Sequence, residues 1–574
     1  MSRKPRILFV NEASFLNTGY SVYGKEILKR LYDTNKYEIA ELGCYGHCTP
    51  KIEEIGSFTS RYGVPKMFDL PWRYYGNFPT SEEEQKVYDS LLTAQFGEWR
   101  FERTCLDFKP DIVVDIRDWW MHEFIERSPY RPYFHWAVMP TVDSSPQQEQ
   151  WLNTYMNADS VFTYSEYGRD VLNGESNNKI NFVDIASPGA NLAVLKPFEN
   201  KSEHRSNFGF LDDVNIVGTV MRNQARKLYP DLFEAFSLFL KNNKELGEKT
   251  FLYVHTSYPD SGWDIPFLLR KFELGNKVLF TYKCEACKYV FPSFFQDARA
   301  VCRRCAANAA HLPNTRNGLS DKEMANVFNL FDVYVQYSVC EGFGMPQVEA
   351  AACGVPVMAV NYSAMKSVVD NLGGIPIDVQ RLFWDSGTGC ERALPSNEDF
   401  VDKLATFLNK PKTVQQKLGR THYNNVKKIY NYDRVAKIWE KHFDSVELKN
   451  KWDSPPRIND PSFDIPKDLS NEQFIRWCIM NVWGEPEHLN SFTAMKFLRD
   501  LNYGEAIRGT GDVIFNEASY LAVANKYQPF THRHAAENFL ALAEKRNYFE
   551  KLRVGLITEP TPEFIKRVKK EEIL

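Results

Sequence analysis

Short apolar runs alternate with stretches of helical periodicity along most of the chain. RILFV (6–10) reads as a buried strand, followed by the polar loop NEASFLNTGYS. The segment VYGKEILKRLYD then puts Ile27, Leu28 and Leu31 on one helical face. YEIAELG (37–43), DIVVDIRD (111–118), YFHWAVM (133–139) and SVFTYS (160–165) read as further strands. The pattern restarts after about residue 200. NIVGTVM (215–221) and KTFLYVHT (249–256) are strand-like, and between them PDLFEAFSLFLKNN is an amphipathic helix opened by proline. SDKEMANVFNLF (320–331) begins with a Ser N-cap and has Glu323 three residues on, a capping-box pattern. DVYVQYS, QVEAAACG and VPVMAV give strand, helix ending at glycine, and strand. Strands alternating with helices predict parallel sheets covered on both faces. The expected fold is therefore α/β, with two Rossmann-like doubly wound domains at 1–200 and 201–452 facing a cleft. The proline-rich SPPRINDPSFDIP introduces a third region, 453–574, which reads as a mostly helical accessory domain. No solenoid-type repeat is present in the sequence.

Composition narrows the function class. With 574 residues the chain is too long for one core, and 43% hydrophobic against 25% charged residues excludes disordered and collagen-like chains. A net charge of -4 argues against a chain-wide electrostatic grip on nucleic acid or an anionic membrane, leaving room only for a local basic patch. Ile7–Val10 is too short for a signal-peptide core, and no run approaches the roughly 20 apolar residues of a membrane span. The eleven cysteines are then expected to be reduced, and the protein cytoplasmic.

GYSVYGKE (19–26) nearly matches the phosphate-binding pattern G-x4-G-K-[ST], but Glu26 stands where a hydroxyl would hold magnesium. That argues against an ATPase. A loop in which Gly19 lets the backbone approach a ligand, or a plain strand-to-helix turn, fits better.

SVCEGFGMPQVEAAACGVPVMAV (338–360) is the most specific string in the chain. Glu341 and Glu349 are separated by a glycine-rich turn and Pro346, at the predicted carboxyl end of a strand. The N–H groups opening the next helix suit an anion such as a diphosphate, and a carboxylate there suits vicinal hydroxyls. The string resembles the donor-site signature of glycosyltransferase family 4, enzymes of GT-B fold. The resemblance implies that Glu349 contacts the nucleotide ribose, that Glu341 lies by the donor sugar, and that the amides of Gly342, Phe343 and Gly344 face the sugar hydroxyls. GTVMRNQARK (218–227) is similar to the family's strand-end motif, which would give Arg222 and Lys227 to the diphosphate. Two solvated loop cations are the plainer reading.

DIRDWW (115–120), PTVDSSP (140–146), ADSVFTYSEYGRDVL (158–172) and SPGANLAVLKPF (187–198) resemble family segments in order, and KIYNYDRVAKIWEKHF (428–443) looks like its closing crossover helix. Asp143 matches an aspartate near the reacting centre in some members and would orient acceptor or sugar; His135 sits at the wrong offset for the histidine of others. The implied chemistry is transfer of a sugar from a nucleotide-diphosphate donor to a hydroxyl, with retention and without a catalytic metal. Cations and helix dipoles would stabilise the departing diphosphate. A hydroxyl entering on the same face could give its proton to that phosphate, so no carboxylate nucleophile is needed.

One insertion departs from the family. Cys284, Cys287, Cys302 and Cys305 form C-x2-C-x14-C-x2-C, the spacing of a zinc ribbon with a closed, structural zinc site. Residues 277–316 carry seven Lys or Arg (Lys277, Lys283, Lys288, Arg299, Arg303, Arg304, Arg316) against Glu285 and Asp297, with Tyr282, Tyr289, Phe291, Phe294 and Phe295 interleaved. A nucleic-acid surface and a zinc-stapled flap with solvated cations both fit. The acceptor is therefore open between a glycan, a small molecule, a protein and hydroxymethylated DNA. A GT-B-like nucleotide-sugar epimerase, and a zinc-ribbon nucleic-acid-binding protein with an inactive sugar site, are the alternatives. Donor identity and oligomeric state are not readable from the sequence.

Overall fold

The strand-like runs assemble into two separate parallel sheets. The computed structural model describes residues 3–16, 18–46, 70–79, 82–90, 93–128, 130–314, 318–450, 452 and 469–481. The first sheet comprises β1 (Arg6–Glu12), β2 (Glu38–Cys44), β3 (Arg73–Gly76), β4 (Ile112–Asp115), β5 (His135–Val138), β6 (Ser160–Thr163) and β7 (Phe182–Ile185), in the order β3-β2-β1-β4-β5-β6-β7. Ile7, Leu8, Phe9 and Val10 are fully buried, as a parallel strand covered on both faces requires.

The second sheet contains β8 (Asn215–Val220), β9 (Thr250–His255), β10 (Val278–Cys284), β11 (Val290–Phe294), β12 (Arg299–Ala300), β13 (Ala310–His311), β14 (Val333–Gln336), β15 (Val357–Val360) and β16 (Ile375–Ile377). Its parallel core runs β10-β9-β8-β14-β15-β16, and β11 and β13 pair antiparallel to β10 at one edge. A separate antiparallel hairpin, β17 (Val379–Asp385) and β18 (Cys390–Pro395), follows β16. The capping box is present: the Ser320 side chain accepts from the Glu323 N–H at the start of helix Asp321–Phe328, and Glu323 reaches back.

The segment expected to form one closing helix is broken. Helix Lys412–Ile429 ends, and helix Tyr432–Ser445 starts with Asn431 accepting from the Arg434 N–H. At the break the Tyr430 carbonyl accepts from Ala190 N–H at 3.0 Å, so the two crossing segments run side by side. Gly189 lies there, where a Cβ would sit 2.7 Å from the Tyr432 nitrogen. The closing helix then packs on the first sheet's layer, with Trp439 donating to the Tyr23 hydroxyl at 2.8 Å and stacking on Phe162.

The chain divides into two units; the first holds both sheets and the site described below. In the second, the Trp452 indole donates to the Pro110 carbonyl at 2.6 Å and packs against Tyr130 and Tyr133. Arg476, on helix Asn471–Asn481, pairs with Glu98 and Glu102 at 3.4 and 3.2 Å. Apart from that helix and Ser470 and Leu469, the region expected as a helical domain at 453–574 lies outside the described residues.

Candidate donor and acceptor site

The loops after β8 and β14 are zipped together, and this places the charged groups. Leu228 N–H donates to the Tyr337 carbonyl at 3.2 Å and Val339 N–H to the Arg226 carbonyl at 3.1 Å, so Lys227 faces Ser338. Both cations then converge on Glu341. Its carboxylate accepts from Lys227 Nζ, from Arg226 Nη1 at 2.8 Å, from Gln336 Nε2 at 2.7 Å and from Ser338 Oγ at 2.8 Å. Burial pushes the Glu341 carboxyl up, but the charges of Lys227 and Arg226 outweigh it and hold it down to about 2. Glu341 is therefore an anion at all ordinary pH, fixed in place, and unsuited to proton donation. Burial, with the charge of Arg226, draws the Lys227 ammonium down to about 8.

Arg222 goes elsewhere: it makes a two-pronged pair with Asp260, at 2.8 and 2.9 Å, on the loop after β9. Arg226, not singled out in the sequence, stands beside Lys227 instead. Its only signal was adjacency to that lysine.

Gly344 (φ +85°) precedes helix Met345–Ala352 in the left-handed conformation, so the turn Gly342–Gly344 delivers its backbone to the helix N-terminus. Phe343 is buried edge-on against Tyr430. Glu349, on the same helix, is half-buried, and its carboxylate has no hydrogen-bond partner among the described residues. Burial, and then the nearby Asp321 charge, pushes it up to about 7.

The first sheet's carboxyl edge meets this turn. A Cβ at Gly342 would lie 2.3 Å from Thr141 Cγ2. The Tyr20 hydroxyl links Thr141 Oγ1 (2.6 Å) to Asp118 (2.7 Å). Gly19 is the first residue of helix Gly19–Asp33, opposite Met345, and Gly24 and Lys25 lie inside that helix, packed rather than looped. The phosphate-loop likeness therefore has no structural counterpart: Thr18 caps the helix through the Ser21 N–H. Asp143 accepts from Arg392 Nη1, on β18, at 2.8 Å, and from the Cys340 thiol at 3.2 Å.

The four cysteines also converge. Their sulfurs all lie within 4.8 Å of one another, with Cys284–Cys305 at 3.7 Å and Cys287–Cys302 at 3.6 Å. A tetrahedral zinc with Zn–S bonds of about 2.3 Å needs sulfur separations of about 3.8 Å, so the set fits the ion. Lys288 and Ala306, each following the second cysteine of its pair, both have φ near +59° (59° and 58°), which makes the two turns local equivalents.

Residues 314–425 match the family model described as glycosyl transferases group 1. The D-inositol 3-phosphate glycosyltransferase of Mycobacteroides abscessus is 27% identical over 229 residues, 39% of this chain and 39% of that relative's length. Among solved structures, a sucrose-phosphate synthase from Thermosynechococcus elongatus superposes with TM-score 0.55 at 16% identity, covering 77% of this chain and 100% of that one. Anabaena HepE, solved with UDP and glucose, gives 0.51 at 12% identity, over 77% and 100%. At those identities the likeness is one of fold, and the fold is GT-B: two Rossmann-like parallel-sheet domains.

Proposed function

We propose that this chain is a retaining, family 4-type glycosyltransferase that moves a sugar from a nucleotide diphosphate to a hydroxyl acceptor. The observation that carries the reading is Glu341, an obligate anion held by Lys227 and Arg226 immediately before the turn that opens helix Met345–Ala352. In this reading Glu349 receives the ribose hydroxyls, the amides of Gly342, Phe343 and Gly344 face the sugar, and the cations face the diphosphate. Lys227 and Arg226 stand in the grip, and Arg222 joins it on leaving Asp260. As the diphosphate departs, negative charge grows on its oxygens, and these cations with the helix N-terminus stabilise it. The acceptor hydroxyl enters on the same face and passes its proton to the departing phosphate. Asp143, anchored by Arg392, orients the acceptor side. No step calls on a catalytic metal.

The four cysteines hold a structural zinc in this proposal; four thiolates leave no open position, so the ion stiffens the insertion. Zinc analysis of the purified protein at well under one equivalent would refute that part.

The deciding experiment is a transfer assay with a donor panel, begun with UDP-glucose because HepE was solved with UDP and glucose. Acceptors are hydroxymethylcytosine-containing duplex DNA and a mixed glycan set, read as sugar-adduct mass. Absence of both transfer and nucleotide-sugar binding across the panel would sink the reading.

A further inference from the structure

The cysteine insertion rises from the same carboxyl edge of the second sheet as the Glu341 loop, three strands away in the order β10-β9-β8-β14. β10 is parallel to β9 with Phe280 opposite Val254, and β9 ends at His255. Cys284 thus lies three residues past the end of its neighbour, about 10 Å at about 3.3 Å per residue. The overhang is at the carboxyl end, where the sheet also delivers the Glu341 loop. Its root is tied down by Lys283, which donates to Glu323 at 2.9 Å on helix Asp321–Phe328.

The surface of the insertion is built of unpaired cations. Lys288, Arg299, Arg303 and Arg304 are all exposed, and among the described residues none pairs with a carboxylate. Of its two acids, Glu285 is taken by His311 at 3.2 Å. Two of the four cations are held in position. The Arg303 guanidinium lies over Phe291 and reaches Ser293 Oγ at 3.3 Å, and Arg304 lies over Tyr289. Holding these side chains in advance lowers the entropy lost when they bind a rigid array of anions. The rings beneath these cations are not free to stack on bases: Tyr282, Phe291 and Tyr289 stack on one another, and the first two are buried; the exposed Phe294 pairs with Leu279, at the far end of the β10–β11 ladder from the cysteines.

We propose that this insertion docks the phosphate backbone of duplex DNA, so that a nucleic-acid acceptor is held at the mouth of the donor site. Preorganised cations with no free aromatic face beneath them suit regularly spaced phosphates rather than splayed single-stranded bases. The step from docking to acceptor rests on the transfer reading above; the docking does not.

The test is binding of a short labelled duplex to the full chain, by anisotropy without any nucleotide-sugar, across a salt series. Four phosphate contacts predict a slope of log K against log salt of about −3.6, or about 150-fold weaker binding between about 50 and 200 mM salt. The double variant Arg303→Ala/Arg304→Ala, with melting temperature and zinc content checked against wild type, should roughly halve the slope to about −1.8. No duplex binding at low salt overturns the proposal, as does an unchanged slope in a folded double variant. Binding of heparin without duplex, or of single strands far more tightly than duplex, overturns it as well. Transfer is measured separately with donor added, so docking without transfer counts against the donor-site reading alone.

Discussion

Gly342 is a point where a loop of the second sheet presses on one of the first, and replacing it isolates that contact. Its backbone lies outside the left-handed region, so Gly342→Ala adds a methyl without backbone strain. The new Cβ would stand 2.3 Å from Thr141 Cγ2, with the next nearest atom at 3.6 Å. Ordinary contact needs more than 3.4 Å, so Thr141 or the turn must yield by about 1 Å, at a cost of about 1–3 kcal/mol in stability. A misplacement of about 1 Å in a reacting geometry lowers turnover by about 100-fold. Thr141 Oγ1 is hydrogen-bonded to Tyr20, so the methyl is the expendable part. Thr141→Ser removes Cγ2 and keeps the hydroxyl. The expected result is a large loss of kcat in Gly342→Ala, little change in Thr141→Ser, and substantial recovery in the double variant. A double-mutant cycle on kcat and on melting temperature reads this coupling. Additive effects would refute the geometry, because a clash with that one methyl cannot survive its removal.

Glu349→Gln should strengthen the fold while weakening the ligand. A carboxyl raised to about 7 keeps a proton, between its ordinary range and pH 7, that the unfolded chain has released. Stability therefore falls as pH rises through that window and stays lower above it. The variant should melt above wild type at about pH 8 and level with it near pH 4.5. The gap is at most about 3 kcal/mol, less to the extent that water reaches the half-buried group. Affinity for the donor nucleotide that the panel identifies, measured by calorimetry, should drop about tenfold if Glu349 makes charge-assisted bonds to the ribose; a lower melting point at pH 8 would contradict the reading. Glu341→Gln leaves Lys227 and Arg226 facing a neutral amide, so it should cost about 3–5 kcal/mol by denaturant unfolding and depress transfer more than nucleotide binding. Unaltered kcat would remove Glu341 from the site. Cys284→Ser should lower zinc content and loosen proteolytic protection of residues 284–305, with affinity for the panel's donor nucleotide retained; a full zinc complement in the variant would count against a four-thiolate site.

What the sequence made legible follows from how far apart the cooperating residues lie. The strands, the capping box at Ser320 and the turn Glu341–Gly344 depend on neighbours within a few positions, and each formed where the pattern put it. Choosing between the arginines of MRNQARK was harder. In an extended segment Arg226 and Lys227 would face opposite ways, but Lys227 N–H bonds back to the Gln224 carbonyl, and that tight turn sends both to Glu341. The hairpin β17–β18 is marked in the sequence only by the glycine-bearing turn DSGTG, because VQRLFWD and CERALP on either side do not alternate apolar and polar residues. The pairs Thr141–Gly342 and Asp143–Arg392 carry none, because partners some 200 or more positions apart leave no periodicity. This division has a functional consequence. The donor-side groups sit on two short loops zipped to each other, so their chemistry survives as a readable string. The proposed acceptor side is instead assembled by contacts between sheets, Asp143 with Arg392 among them, so no single motif contains it.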